Sequence, residues 1–376
     1  MIYLDHNATT PVLPEVREAM LPFLAEQWGN PSSSYRFGSH LKSAIEGARE
    51  KVADLMGAQS AHEVHFTSGG TESNNTALHA VIHSTPKKHI ITSLVEHSSV
   101  LGYCRFLEEF RGYRLTYLPV DQEGLISIPQ LEAAIQTDTA LVSLMWANNE
   151  TGVLFPVEEI GQLCRDRGVL YHCDAVQAVG KLLMKVKDLP IDYLSLTGHK
   201  IGAPKGIGAL YIQQKAPFLP FVHGGQQERS RRGGTENVAG IIGLGTAAAV
   251  AQKKLPAYDA TVRPLRDALE EGILTAIPNT QRNGHVIQRL PNTTNIFLPG
   301  MDSDATLTFL DSQNICASSG SACMESAITP SHVIKTMSGS HERSSESIRF
   351  SLAPENTMEE IHAVLHNMKG LMSLID

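Results

Sequence analysis

Lys200 stands in Leu-Thr-Gly-His-Lys-Ile-Gly-Ala-Pro-Lys-Gly-Ile-Gly (196–208), one lysine inside a glycine-rich turn between two apolar runs. An ammonium beside buried strands is costly unless it is paired or chemically converted. A lysine that condenses with an aldehyde to an imine escapes that cost. Thr197 and His199, just before it, suit a phosphate ester, so the segment points to a phosphorylated aldehyde; a plain surface lysine in a turn is the other reading. Asp174 follows the apolar run 169–173, where a buried carboxylate requires a cation, and a protonated ring nitrogen is such a cation. Pyridoxal phosphate combines aldehyde, phosphate and ring, and a charged ring nitrogen makes it an electron sink for a carbanion.

Further polar segments also follow apolar runs. Ser-Gly-Gly-Thr-Glu-Ser-Asn (68–74) is a glycine turn opening a helix, whose free N–H groups and positive dipole end suit a phosphate. Gly70 and Thr71 are the candidate cradle, with a tight connection as the plainer reading. His97 has the right ring to stack on a planar cofactor and shuttle protons, or is structural. Asn149, in Asn-Asn-Glu-Thr-Gly (148–152), suits a hydrogen bond to a ring oxygen, or marks an asparagine turn. The five cysteines, Cys104, Cys164, Cys173, Cys316 and Cys323, form no CxxC pair. That argues against a zinc site and a disulfide scaffold. Cys323 alone lies in a small, polar stretch, Ser-Ser-Gly-Ser-Ala-Cys, the setting of a reactive thiolate. His-Glu-Val-His (62–65) is one residue short of the spacing that places two histidines on one helix face and reads as the lead-in to a strand.

Seven apolar runs, at 64–67, 89–92, 115–118, 141–147, 169–173, 193–196 and 209–212, alternate with helical patterns such as Leu41, Ile45, Ala48, Val52 and Leu55. This is the pattern of an α/β fold: a mostly parallel sheet with helices on both faces and ligands at the strand carboxyl ends. The 376 residues, 42% hydrophobic, suffice for a large domain (14–255) and a smaller α+β domain (256–376 with 1–13). The boundary is expected where the small-residue helix 238–251 ends in Gln-Lys-Lys-Leu-Pro (252–256). A net charge of −8 offers no attraction to nucleic acid or anionic membrane. No apolar stretch reaches the roughly 20 residues that span a bilayer, and the N-terminal residues carry no secretion signal, so a cytoplasmic location is expected.

Taken in order, these segments resemble the NifS/IscS group of cysteine desulfurases, in the class V aminotransferase superfamily of pyridoxal-phosphate enzymes (fold type I). The resemblance runs nearly end to end. It includes Tyr-Leu-Asp-His-Asn-Ala-Thr-Thr-Pro (3–11), 67–74, Glu96-His97, 148–150, Asp-Ala-Val-Gln (174–177), the Lys200 segment, Arg-Gly-Gly-Thr-Glu-Asn (232–237), 318–323 and Ser-Ile-Arg-Phe-Ser (347–351). It implies a Schiff base at Lys200, His97 stacked on the ring, Asp174 at the ring nitrogen, and Gln177 and Asn149 at the ring oxygen. Thr71, Thr197 and His199 are to hold the phosphate, completed by Thr235 from the second subunit of a homodimer. Arg349, with Asn149 nearby, is to bind the carboxylate of L-cysteine. Cys323 is to take the sulfur as a persulfide, releasing L-alanine, and to pass it to an acceptor protein such as an iron–sulfur scaffold. No resident metal is implied, a transient iron–sulfur contact at Cys323 aside. A selenocysteine lyase or an aminotransferase of the same fold is the alternative; a non-catalytic scaffold would be expected to lack Lys200 or Cys323.

Overall fold

A computed structural model describes residues 1–82, 84–320 and 330–372. Its strands are β1 (Ile2–Tyr3), β2 (Val64–Thr67), β3 (His89–Ser93), β4 (Arg114–Leu118), β5 (Thr139–Ser143), β6 (Leu170–Asp174), β7 (Tyr193–Thr197), β8 (Gly208–Ile212), β9 (Gln281–Arg282), β10 (Thr293–Phe297), β11 (Ile315–Cys316) and β12 (Ser347–Ser351). Seven of them form the main sheet in the order β2-β8-β7-β6-β5-β3-β4. All neighbours in it are parallel except β8, which runs antiparallel to β2 and β7. The strands from β5 to β8 are almost wholly buried, which explains their continuous apolar runs: with helices on both faces, neither face meets water. The strand expected over 141–147 is shorter at its far end. After Ser143 the chain leaves the ladder, though Leu144 N still donates to His172 O (3.1 Å) and Trp146 N to Asp174 O (2.9 Å).

A second, smaller unit holds the antiparallel sheet β12-β10-β9 and the parallel pair β1-β11. Its apolar core, with Leu4, Val262, Ile273, Ile296, Phe350 and Val364 among its members, is separate from the one around the main sheet. One helix, Val238–Ala276, reaches both. The sequence-based expectation ended this helix at 252–256, and that expectation is overturned: it runs 39 residues, through Pro256 and Pro264. A proline removes one helical N–H and frees the carbonyl four residues earlier. Here Pro256 and Gln252 are both exposed, so water can take the freed carbonyl, while Leu255, Tyr258, Val262, Arg266 and Leu269 stay buried at helical spacing. Packing on both cores outweighs the local stop signal.

Near its start the same helix lies close against the Leu41–Met56 helix. A Cβ on Gly245 would come within 2.6 Å of Ala48 Cα. His62 and Glu63 form a 3-10 turn before β2, capped by Ser60, which bears out the strand lead-in. No group of His, Cys, Asp or Glu among the described residues is arranged to hold a metal. No helix among them is long and apolar enough to cross a membrane.

Candidate active site

At the carboxyl ends of β5, β6 and β7 a cavity of about 290 Å³ is lined by Gly70, Thr71, His97, Asn149, Asp174, Gln177, Thr197, His199, Lys200 and Arg349, together with Asn7, Ala8, Asn74, Ser99, Gly320 and three apolar residues, Met145, Ala147 and Val176. The candidate residues therefore converge, with two exceptions. Thr235 lines another depression beside Arg232 and Gly206. Cys323 lies outside the described residues, although Gly320, three positions earlier, lines the cavity.

Lys200 ends the short turn Gly198–Lys200 that follows β7, and its Nζ donates to the carbonyls of Asn7 and Ala8. Asp174 ends β6 at 6% exposure. One carboxylate oxygen accepts from Asn74 Nδ2 at 2.7 Å and the other from Val176 N at 3.0 Å. Asn74 Nδ2 also donates to Ser99 Oγ (2.9 Å), which sits 2.8 Å from His97 Nδ1. His97 caps the Ser98–Arg111 helix, and its Nδ1 accepts from Ser99 N at 3.1 Å. In the neutral ring this assigns the proton to Nε2. A continuous chain thus runs from Asp174 through Asn74 and Ser99 to His97.

The other end of the cavity suits an anion. The Gly70–Ile82 helix presents its N-terminus there, and Thr197 and His199 face the same space. Burial, with the nearby Lys200 and Lys205 charges, pushes His199 down to about 4, so near neutral pH it is an uncharged imidazole. A Cβ on Gly70 would come within 3.0 Å of Val176 Cγ2, so glycine preserves this close approach.

Arg349 on β12 is 2% exposed, bonded to Asp5 Oδ1 (2.6 Å) and Asn149 O (3.0 Å). Its buried Nε has no hydrogen-bond partner among the described residues. The guanidinium is held from behind and keeps donors for an incoming carboxylate. The Arg349 backbone also pairs with Ser318, tying this side chain to the strand leading toward Cys323. Cys104 and Cys164, both buried, have thiols pushed up to about 12 by that burial. Cys173 is pushed well up by burial, so these three make poor thiolates. Cys316 is half-buried.

Glu96 supports the cavity floor. One oxygen accepts from Met145 N (2.8 Å) and Ser93 Oγ (3.2 Å); the other is buried with no partner among the described residues. Burial, with a smaller push from Asp174, raises its carboxyl from 4.5 to about 8. An unfolded chain releases this proton near the ordinary value, whereas the folded chain keeps it until about 8. The stability from this group is therefore whole below pH 4.5 and lost as pH rises to about 8. Denaturant titrations of wild type and Glu96→Gln at pH values across this window should show wild type losing ground as pH rises, by at most about 1.4 kcal/mol per pH unit. Parallel stability curves would contradict it.

Pyridoxal phosphate fits these groups. Asp174 is a buried carboxylate with no ion pair among the described residues, and a pyridinium nitrogen would supply the missing charge. The helix N-terminus with Thr71, Thr197 and His199 would accommodate the phosphate, and Lys200 lines the same cavity. Asn7, Asn74, Asp5 and Lys181, the last bonded to Asn7 and Gln177, had no assigned role in the sequence reading. Asp5 and Asn7 fall within a quoted motif, as does Asn74, but no local signal marks their contacts.

The family model for class-V aminotransferases matches residues 2–364. Cysteine desulfurase 2 of Trichormus variabilis is 51% identical over 373 residues, covering 99% of this chain and 93% of that protein. A NifS-like protein of known structure superposes with a TM-score of 0.93 at 35% identity, covering 99% of each chain. SspA, solved in complex with cysteine, superposes with a TM-score of 0.83 at 36% identity, covering 95% of this chain and 100% of that one. The chain belongs to the class-V aminotransferase family and is a NifS/IscS-type cysteine desulfurase dependent on pyridoxal phosphate.

Proposed function

We propose that the cavity takes sulfur from L-cysteine by a division of labour among this chain's residues, with Cys323 as the sulfur acceptor. Arg349 binds the substrate carboxylate through its unoccupied donors, beside Asn149. Lys200 would anchor the cofactor and, once the substrate amine is bound, would move the Cα proton. Asp174 keeps the ring nitrogen charged, Gln177 and Asn149 face the ring oxygen, and His97 stacks on the ring with its tautomer set by Ser99. Thr71, Thr197, His199 and the Gly70 turn hold the phosphate. Pyridoxal phosphate, when bound, supplies the electron sink that weakens the Cβ–S bond of the substrate. The Cys323 thiolate attacks the substrate sulfur; an S–S bond forms as the Cβ–S bond breaks, its electron pair stays with the carbon side, and protonation there gives L-alanine.

The observation that carries this reading is the convergence of Lys200, Asp174 and Arg349 on one cavity whose wall includes Gly320. Thr235 lies away from this chain's cavity, which supports a homodimer in which it serves the other subunit's phosphate site. The persulfide goes on to an acceptor protein such as an iron–sulfur scaffold, in the cytoplasm. The division into domains 14–255 and 256–376 with 1–13 is proposed on the strength of the two apolar cores.

The test is alanine formed from L-cysteine by wild type and Cys323→Ala under the same conditions. Alanine from wild type and none from the variant is expected. A variant that keeps the wild-type rate would rule out Cys323 as sulfur acceptor; a wild type that forms none would redirect the search to selenocysteine and amino-group transfer.

A further inference from the structure

Lys181 is a buried lysine that the mechanism above does not use. It is 6% exposed, and its Nζ donates to Asn7 Oδ1 and to Gln177 Oε1, each at 2.9 Å. No carboxylate among the described residues lies within ion-pair distance of it. Burial, with the charges of Lys200 from the turn after β7 and Arg349 from β12, pushes its ammonium well below the usual range. His6, Lys254 and Glu355 line the neighbouring cavity, of about 400 Å³, with Lys181 and Lys200. A lysine in so unfavourable a place is expected to hold something that matters.

What it holds is the orientation of two amides. A carboxamide has an accepting end and a donating end. With Lys181 on Gln177 Oε1, the donating Nε2 is turned toward Asn7 O at 3.0 Å. Asn7 Oδ1, taken by Lys181 and by Asn292 Nδ2 (3.1 Å), leaves Asn7 Nδ2 on Asn149 O (3.1 Å) and Thr293 Oγ1 (2.9 Å). The same Asn7 receives Lys200 on its carbonyl. Lys181 is thus one hydrogen bond from the residue that receives Lys200 and from a residue assigned to the cofactor's ring oxygen.

We propose that Lys181 is a positioning residue: from its buried seat it locks the Gln177 and Asn7 amides so that a hydrogen-bond donor, and not an acceptor, faces the ring oxygen of the bound cofactor. This rests on the proposed contact of Gln177 with that oxygen. A donor there favours the ionised oxygen and lowers the proton affinity of the adjoining Lys200 linkage. Losing the donor raises that affinity.

The experiment is a pH titration of the visible absorption of cofactor-loaded wild type, Lys181→Met, Gln177→Ala and the double variant, with thermal melts alongside. Methionine is close to lysine in volume and fits a buried site. Lys181→Met is expected to raise the midpoint by about one pH unit, a tenfold change in proton affinity, and Gln177→Ala to raise it as well. If Lys181 acts through Gln177, Lys181→Met should move the midpoint less than half as far in the Gln177→Ala background as in wild type. A wild-type midpoint in Lys181→Met, or equal shifts in both backgrounds, would overturn the proposal alone. Gln177→Ala without a shift would overturn the Gln177 assignment and the proposal with it. Should Lys181→Met fail to fold, Lys181→Gln is read by the same criteria.

Discussion

Lys200→Ala is expected to abolish alanine release from L-cysteine, with a loss of at least 10²–10⁴ from proton transfer alone. The lysine is asked both to anchor the cofactor and to move the Cα proton, and alanine does neither. Within reach of its Nζ are the carbonyls of Asn7 and Ala8, which accept hydrogen bonds but are too weakly basic to replace an amine. Loss of a covalent anchor also removes the pre-organisation that an exchanging amine provides. Two measurements check this. Alanine quantified over a single turnover should fall below detection in the variant. Borohydride treatment of wild type should leave the cofactor's mass on the peptide containing Lys200. Alanine release within tenfold of wild type, or the label on another lysine, would refute the assignment.

Asp174→Asn is expected to lower kcat by about 10²–10³, the usual effect of removing one preorganised electrostatic group from a buried site, with a much smaller change in KM. The carboxylate is 6% exposed and accepts from Asn74 Nδ2 (2.7 Å) and Val176 N (3.0 Å). An amide there has only one accepting end for two donors. Whichever way it turns, one donor faces an NH₂ group, and no charge remains to keep a ring nitrogen protonated. In the proposed arrangement the substrate carboxylate goes to Arg349, which Asp5 and the Asn149 carbonyl hold independently of Asp174, so ground-state binding should survive. Initial rates over a range of L-cysteine concentrations separate the two parameters. A kcat within fivefold of wild type would mean that Asp174 does not supply the charge.

The main sheet is readable because all its strands but the edge strand β4 are buried on both faces, so they appear as apolar runs flanked by polar turns. The long helix was misread for a complementary reason. Pro256 and the charges before it are local stop signals, while the two cores that carry the helix on to Ala276 are assembled from distant segments. Long-range packing decided the outcome where the freed carbonyl could be hydrated.

The site divides in the same way. Lys200, Asp174, His97 and the Gly70 turn follow strands directly, so residue type and position after an apolar run marked them. Asn74 meets Asp174 across a separation of 100 residues, Lys181 meets Asn7 across 174, and Arg349 meets Asp5 across 344. None of these pairs leaves a mark in local spacing. The sequence by itself determined the reactive groups and the α/β frame, because side-chain chemistry and hydrophobic periodicity are properties of short stretches. Only the tertiary structure decided which amide faces which lysine, how the Arg349 guanidinium is held and where the long helix ends, because hydrogen-bond direction and burial depend on groups brought together from far along the chain.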